Sequence, residues 1–593
     1  MSRLLHTKHI WLSVAVLLII AMASILNYFK FREVFWLTEM LPFVFYTLIA
    51  LIVIFSFFVI KQSSFLTHID VVVLLFFSYA LTGAFIWAYP FPPTDRLFSF
   101  GSCLIFYIWM RVSNISSKIP LQLLYIIFIL ALFQAGLGIL QYAEILPFKT
   151  PLFKAQGSFI NPGIFGLFMA IGFVVALCMI IYQKGTSSHL SLLILAASII
   201  TIGLILSKSR TAFIAALTGG LFVILYRYKS VFFSKARKFR IAFSILLAVV
   251  FCAVIYLLWL RNTVSVSGRF LIWRISFDIF KAHPFLGIGA GNFYTEYSNY
   301  QAAYFAAGRG SQIAIDTADI NYYAFNELLK IAVENGIPGV GLFITMVIAS
   351  IVSLIQHLKH KEDKSMVYFA AVFITILVFS MFSYPFQDMA INTIFLICIA
   401  IAASISKVAL KISTVKHITR PMLLVVNCFL LLIFIQKINA IINWRWAKEN
   451  ILAQEGYAIK RYQQIFPYLS NNGSFLFNYG AELADIGLLE QSAVLLDRAA
   501  LYGNSVELCS RLGRVYEYMN NHVTADKYYT KAAYMVPKMF VPLSELFAFY
   551  KRTQQVAKAK DIAQKICNKA IKIPSAQVSM LKNDACVYVN SFQ

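Results

Sequence analysis

Residues 190–227 read LSLLILAASIITIGLILSKSRTAFIAALTGGLFVILYR: two apolar runs, 190–206 and 211–227, parted only by Ser207, Lys208, Ser209 and Arg210. A bilayer core of about 30 Å is crossed by a helix of roughly 17–25 apolar residues. Each run meets that length, and the four polar residues between them suit a turn at a membrane surface. The stretch reads as two helices crossing in opposite directions. A surface helix of a soluble protein would keep a polar face, and neither run has one.

Outward from this pair the pattern repeats. Further runs lie near 10–29, 38–60, 70–89, 97–111, 119–142, 161–183, 241–260, 337–356, 366–383, 391–406 and 421–441. The predicted fold is all-α, a polytopic membrane protein of about 13 transmembrane helices. Composition agrees. Of 593 residues 60% are hydrophobic and 13% charged, and mean hydropathy is +0.74, whereas soluble domains are about 25% charged. The first run continues past Ala23 to Tyr28, so it reads as a retained helix rather than a cleaved signal.

The net charge is +25, from 51 Lys and Arg against 26 Asp and Glu. Basic residues at cytoplasmic helix ends account for this excess, so no nucleic-acid partner is expected. The clearest clusters are Arg227, Lys229, Lys235, Arg237, Lys238 and Arg240; then Lys359, Lys361 and Lys364; then Lys407, Lys411, Lys416 and Arg420. Placing these in the cytoplasm and alternating the spans puts the N-terminus, with Arg3 and Lys8, inside as well. Two long segments then fall outside: a loop at about 261–336 and the whole of 442–593. The expected organisation is a membrane domain over 1–441 and an extracytoplasmic helical repeat domain over 442–593.

The repeat shows in the spacing of small residues. Gly480 and Gly513 are 33 residues apart, as are Ala499 and Ala532. Gly513, Tyr516, Ala525, Tyr529, Ala532 and Pro537 fall at tetratricopeptide-like spacing. Small residues let paired helices approach, aromatics fill the gaps, and a proline ends the second helix. Such arrays bind partners or position domains. Three of the eight cysteines, Cys509, Cys567 and Cys586, lie here, and their pairing stays open.

The sequence carries no P-loop, H-E-x-x-H, G-x-S-x-G or EF-hand motif. Cofactors and metals are therefore not expected. Carboxylates are sparse within the spans, unlike in proton-coupled pumps. Polar residues gather instead at the outer helix ends. Lys208 and Arg210 oppose the positive-inside bias; they read either as a turn with snorkelling side chains or as a phosphate site, for which Arg supplies fixed charge and a two-pronged donor. In the outer loop, Arg269, Trp273, Arg274 and Asp278 lie on an amphipathic stretch, followed by His283, Pro284, Gly287, Gly289, Gly291 and Asn292. That glycine run reads as structural, allowing close backbone approach. Asp316, Asp319, Tyr323 and an amphipathic helix from Asn326 and Glu327 to Glu334 follow, ended by the Gly336–Gly339 turn.

Four of these pieces, in order, resemble the O-antigen ligase and protein O-oligosaccharyltransferase superfamily, which includes the O-antigen polymerases. They are Gly157 to Gly166 with Asn161; Ser207 to Arg210; Arg269 with Trp273 leading to His283, Pro284 and Gly287; and Asn326, Glu327 to Glu334, Gly336. The resemblance spans about residues 10–440, and the tail is similar to an accessory repeat domain of some members. It implies a bacterial inner-membrane enzyme with a periplasmic tail. The enzyme would be a metal-independent, inverting one that moves a glycan from a polyprenyl diphosphate to a hydroxyl of a protein, a lipid A core or another glycan. The family's two functional arginines map onto Arg210 and Arg269. Asn161, Lys208, Trp273, His283, Tyr323 and Asn326 are the residues expected around the substrate, with membrane lipid as the surrounding partner.

One position departs from the pattern. The family's His before the Asn matched by Asn326 is thought to be the general base; here it is Phe325, which takes no proton. The attacking hydroxyl must still lose its proton. Glu327, Asp319, Asp316 and His283 are the carboxylate and imidazole candidates, with Glu327 foremost. The competing classes are an O-antigen polymerase, a glycan transporter, which would show internal repeats or broken helices near midplane, and a scaffold working through its tail. The charge pattern itself is testable: a reporter active only in the cytoplasm, fused after Gln593, is expected to stay silent, and a strong signal would reverse the assigned orientation.

Overall fold

The computed structural model describes residues 35–59, 65–87, 94–112, 119–148, 153–159, 161–182, 187–230, 263–360, 363–411, 416–451, 453–571 and 574–591. The spans expected near 10–29 and 241–260, and the basic residues of 231–240, lie outside the described residues. Twenty-two α-helices are present among those described, with one short antiparallel ribbon pairing β1 (Phe65–Thr67) with β2 (Val408–Lys411).

The protein is an all-α polytopic membrane protein. Helices α1 (Phe35–Val59), α2 (His68–Ile86), α3 (Thr94–Val112), α4 (Ile119–Tyr142), α5 (Pro162–Tyr182), α6 (Ser187–Leu206) and α7 (Arg210–Arg227) form its first part. Seven described helices are long and apolar enough to cross a membrane, among them α2, α5, α6 and α7; four shorter apolar helices accompany them. Only helices can cross singly, because hydrocarbon offers no partner for a free N–H or C=O. The pair first read from 190–227 is α6 and α7, with Ser207–Ser209 as the turn.

Helix α5 is the central element. Phe165, Leu167, Phe168, Met169, Ala170 and Ile171 are fully buried in succession, so no side of this part of the helix faces outward. Close approach rests on small residues. A Cβ added at Gly172 would come 2.4 Å from the Ala131 methyl of α4, and one at Gly219 of α7 would come 2.2 Å from the Thr375 hydroxyl.

A segment with its own small core sits between the two halves of the membrane part. It comprises α8 (Thr263–Ala282), α9 (Phe293–Ala306) and α10 (Gln312–Thr317). Leu271, Ile272, Ile275, Ile279, Phe293 and Tyr297 pack together there with Val333. Then come α11 (Glu327–His360), α12 (Lys364–Ser380), the 3₁₀ turn η1 (Pro385–Gln387) and α13 (Met389–Ser404). Helix α11 leaves helical geometry at Gly336 (φ 63°, ψ −166°). The turn read from Gly336–Gly339 is thus a kink, after which Pro338 lies in the first turn of a second helical segment, where a missing N–H costs little.

Composition changes at 442, but the helix does not. Helix α14 runs from Lys416 to Asn450 and carries its polar end into the tail, where Trp444 is fully buried against Phe475 at 5.5 Å. The tail continues as α15 (Glu455–Leu469), α16 (Gly473–Asp485), α17 (Leu489–Tyr502), α18 (Val506–Tyr518), α19 (His522–Met535), α20 (Val541–Arg552), α21 (Val556–Cys567) and α22 (Ala576–Asn590). A Cβ at Gly480 would lie 2.8 Å from Leu496 across the α16–α17 pair, and one at Gly513 would lie 2.8 Å from Tyr529 across α18–α19. Cys567 and Cys586 form a disulfide joining α21 to α22, whereas Cys509 is a buried free thiol.

One buried ion pair braces the start of the bundle. Asp70 is the acidic partner in a capping box with Thr67. Its carboxylate also accepts from Arg111 Nε at 2.6 Å and Nη2 at 2.9 Å, and from the Tyr107 hydroxyl at 2.7 Å. Removing one partner strands a buried charge, a loss of about 3–5 kcal/mol in buried pairs. Arg111→Ala should lower the thermal unfolding midpoint of the purified protein well below that of Arg111→Lys; equal midpoints would show that the pair contributes no specific stability.

Candidate functional site

Helix α7 begins at Arg210 because Ser209 caps it, the Ser209 Oγ accepting from the Ala212 N–H at 3.4 Å. Ser207 tightens the turn by donating to the Leu204 carbonyl and accepting from the Ser209 N–H. Between them Lys208 takes φ 53° and is exposed. The turn lies against the start of α5. A Cβ at Gly166 would approach the Ser207 Oγ to 2.7 Å and Ser209 Cβ to 2.8 Å. The first two sequence pieces therefore touch.

Arg269 on α8 completes the pair. It is half-buried, and its guanidinium lies over the Phe325 ring at 5.4 Å. Burial first, then the charge of neighbouring Arg210, draws its pKa below the ordinary guanidinium value, while Tyr384 acts the other way. A guanidinium remains protonated even so, so two like charges share a site of reduced dielectric. Such a site is stabilised by an anion.

Around the arginines the other pieces converge. Asn161 Nδ2 donates to the Tyr384 hydroxyl at 2.6 Å, while Asn161 Oδ1 accepts from the Gly163 N–H at 2.7 Å. Tyr323 stacks on Tyr384 with centroids 4.1 Å apart, and Phe325 meets Tyr384 edge-on at 5.1 Å. Burial, with Tyr323 beside it, pushes the Tyr384 phenol up from its ordinary value, so it stays protonated at neutral pH. Trp273 Nε1 donates to the Ala324 carbonyl at 3.0 Å, tying α8 to the turn that carries Phe325, itself at φ 52°. Asn326 caps α11 by accepting from the Leu329 N–H and donates to the Met381 carbonyl.

Tyr384 escaped the sequence reading. Its only signal was Ser383-Tyr384-Pro385 between two apolar spans, which resembles any short connection.

The candidate bases are placed differently. Glu327 is buried and accepts from the Phe386 N–H at 3.2 Å, holding η1 against the start of α11. Asp319 pairs with Lys538 of the tail at 2.7 Å, and Asp316 accepts from Gln312. His283 is exposed at the end of α8 and near Glu296, whose carboxyl is raised chiefly by burial.

The glycine run is structural. The Gly289 N–H donates to the Glu334 carbonyl, the Ile288 N–H to Val333 and the Ile337 N–H to Pro284, all at 2.9 Å. The 284–289 turn and the kink at Gly336 are thus locked together. A Cβ at Gly336 would sit 2.2 Å from the Phe285 carbonyl oxygen.

An α-helical membrane bundle in which two arginines lie within each other's electrostatic field, one of them over a cluster of packed aromatic side chains, is the class these elements define. Residues 192–344, which include Arg210, Arg269, Trp273 and Glu327, match the family described as O-antigen ligase; this segment belongs to the O-antigen ligase superfamily. No curated protein matches the chain. In general terms that match supports a membrane glycosyltransferase of the O-antigen ligase type.

The interlock at the kink yields a direct test. Gly336→Ala would need an L residue at positive φ, at roughly 1–2 kcal/mol, besides displacing the Phe285 backbone. The variant is expected to lose most transfer activity, whereas Gly341→Ala, where an added Cβ meets nothing within 4 Å, should behave as the parent protein. Equal activity of the two would mean that the interlock does not position the site.

Proposed function

We propose that the protein transfers a glycan from a polyprenyl diphosphate donor to an acceptor hydroxyl on the extracytoplasmic face. No metal is needed, and configuration at the anomeric carbon is inverted. The observation that carries this reading is that Arg210, at the first turn of α7, lies within the electrostatic field of the half-buried Arg269, which itself packs over Phe325. A diphosphate leaving group gains negative charge as the glycosidic C–O bond breaks. Two guanidiniums in a partly desolvated site, beside a helix N-terminus, oppose that charge most strongly when it is largest. The half-buried Tyr323 offers its ring to the sugar, held there by stacking on Tyr384, which Asn161 in turn fixes.

The disulfide between Cys567 and Cys586 supports an oxidising compartment for the tail, in line with the orientation drawn from the basic clusters. On this reading the paired helices of the tail are a tetratricopeptide-type array in the periplasm. The acceptor hydroxyl belongs to a protein, a lipid A core or a growing glycan. Glu327 is buried against the Phe386 N–H, an arrangement that favours a positioning role over that of general base.

The experiment is transfer from purified polyprenyl diphosphate-linked glycan by reconstituted protein at matched expression and folding. Arg210→Ala and Arg269→Ala should each slow transfer by about 10²–10³, about 2.7–4 kcal/mol in the barrier. Arg269→Lys should recover only part, because lysine restores charge but not the planar fork. Near-native rates in both alanine variants would exclude the catalytic reading and advance the scaffold.

A further inference from the structure

A sizeable cavity lies away from the arginines. It is a groove of about 750 Å³ between the tail and the α9–α10 segment, a volume in the range of ligand sites. Tyr294 and Tyr322 line one wall; Tyr502, Glu507, Arg514 and Glu545 line the other. Tyr294 and Tyr322 are stacked at 4.3 Å and 17°, and Tyr322 keeps 49% of its surface exposed. The Glu545 Oε2 is buried yet accepts no hydrogen bond among the described residues, an uncommon state for a carboxylate oxygen.

The walls are fixed to each other. Gln301 Nε2 of α9 donates to the Met535 carbonyl of the tail at 2.6 Å, and Asn504 Nδ2 donates to Asn299 Oδ1 at 2.7 Å. Ala302 packs among Val506, Cys509, Ala532, Met535 and Val536. The groove is thus preformed.

A path of rings joins it to the arginines. Tyr322 lies 6.2 Å from Tyr323, Tyr323 stacks on Tyr384 at 4.1 Å, Tyr384 meets Phe325 at 5.1 Å, and Arg269 covers Phe325. A pyranose has one face of C–H groups that packs on an aromatic ring and a rim of hydroxyls that must be hydrogen-bonded. Rings along the path and carboxylates with a guanidinium in the groove match both needs.

We propose that this groove holds the distal saccharide chain of the lipid-linked donor, with the ring path guiding the chain from the diphosphate to the tail. The inference rests on the proposed transferase reading. It assigns the groove to the donor because the donor's chain is covalently tethered to the group held by Arg210 and Arg269. Beyond its first sugar it has to leave the site along a surface, and the exposed ring of Tyr322, backed by its stacking on Tyr294, supplies a ring face in the groove. The tail is then part of the donor site, and it selects for saccharide length.

The test uses the full chain in lipid nanodiscs and, as probe, the free saccharide released by mild acid from the cell's own polyprenyl diphosphate-linked glycan. Calorimetric titration should show binding by the parent protein. Tyr322→Ala and Arg514→Ala should weaken it by about tenfold or more, the scale of one lost stacking contact, and Tyr322→Phe should retain it. Arg269→Ala should bind this probe as the parent does, since the probe lacks the diphosphate. In transfer assays Tyr322→Ala should raise KM for the full donor about tenfold more than for a donor trimmed to one sugar. No binding by the parent protein, or equal binding by all variants, overturns the proposal. So does a rise confined to the acceptor's KM, which would give the groove to the acceptor. Retention of transfer by Arg269→Ala would instead remove the transferase reading, while the titration would still decide the groove.

Discussion

Holding two guanidiniums within each other's field, away from bulk water, is unfavourable in itself, and much of the loop side of this structure serves to make it possible. Arg210 is fixed because Ser209 starts a helix there and Gly166 lets α5 press against the turn. Arg269 is fixed because Trp273 on the same helix is bonded to the Ala324 carbonyl, and because Phe325 offers its ring face to the guanidinium. A site assembled from charges that repel must be supported by surroundings that do not yield. The dense packing of α5 and the interlocked glycines supply that rigidity. The balance is relieved when an anion arrives, which is how a phosphate site gains both affinity and selectivity.

The same demand explains the kink in α11. The chain must present Phe325 to Arg269 and then change direction into the bundle after roughly two and a half helical turns. Gly336 allows the change of direction at a backbone conformation that side chains rarely adopt. Peptide groups freed at the kink are paired with the 284–289 turn, as interrupted backbone near a membrane requires. Glu327, read from sequence as the foremost base candidate, holds the start of this helix to Phe386.

The tail is more than an appendage. Helix α14 carries its polar end into the helical tail, where Trp444 is buried against Phe475 and Tyr462 stacks on Tyr479 at 4.3 Å. At the other side Lys538, Gln301 and Asn504 tie it to the loop. Two attachments at separate points restrict rotation about either. A surface on the tail therefore keeps a defined position relative to the arginines.

Apolar length alone determined the class: runs such as 190–206 and 211–227 have no other use in water, so the bundle was legible before any packing was known. Arg210 stood out in the sequence because a cation at an expected outer helix end runs against the insertion bias, Arg269 only through the family resemblance, and the tail through the 33-residue spacing of Gly480 and Gly513. Only the tertiary structure decided which polar residues share a site. Tyr384 joins Asn161 from 223 residues away, and a phenol between two apolar spans carries no local signature of that. His283 and Glu327 were both base candidates in sequence, with Glu327 foremost, yet His283 is exposed at the end of α8 and Glu327 is buried against Phe386. Hydrophobic length is a property of consecutive residues, whereas a site depends on residues far apart in the chain, whose meeting is fixed by how the helices pack.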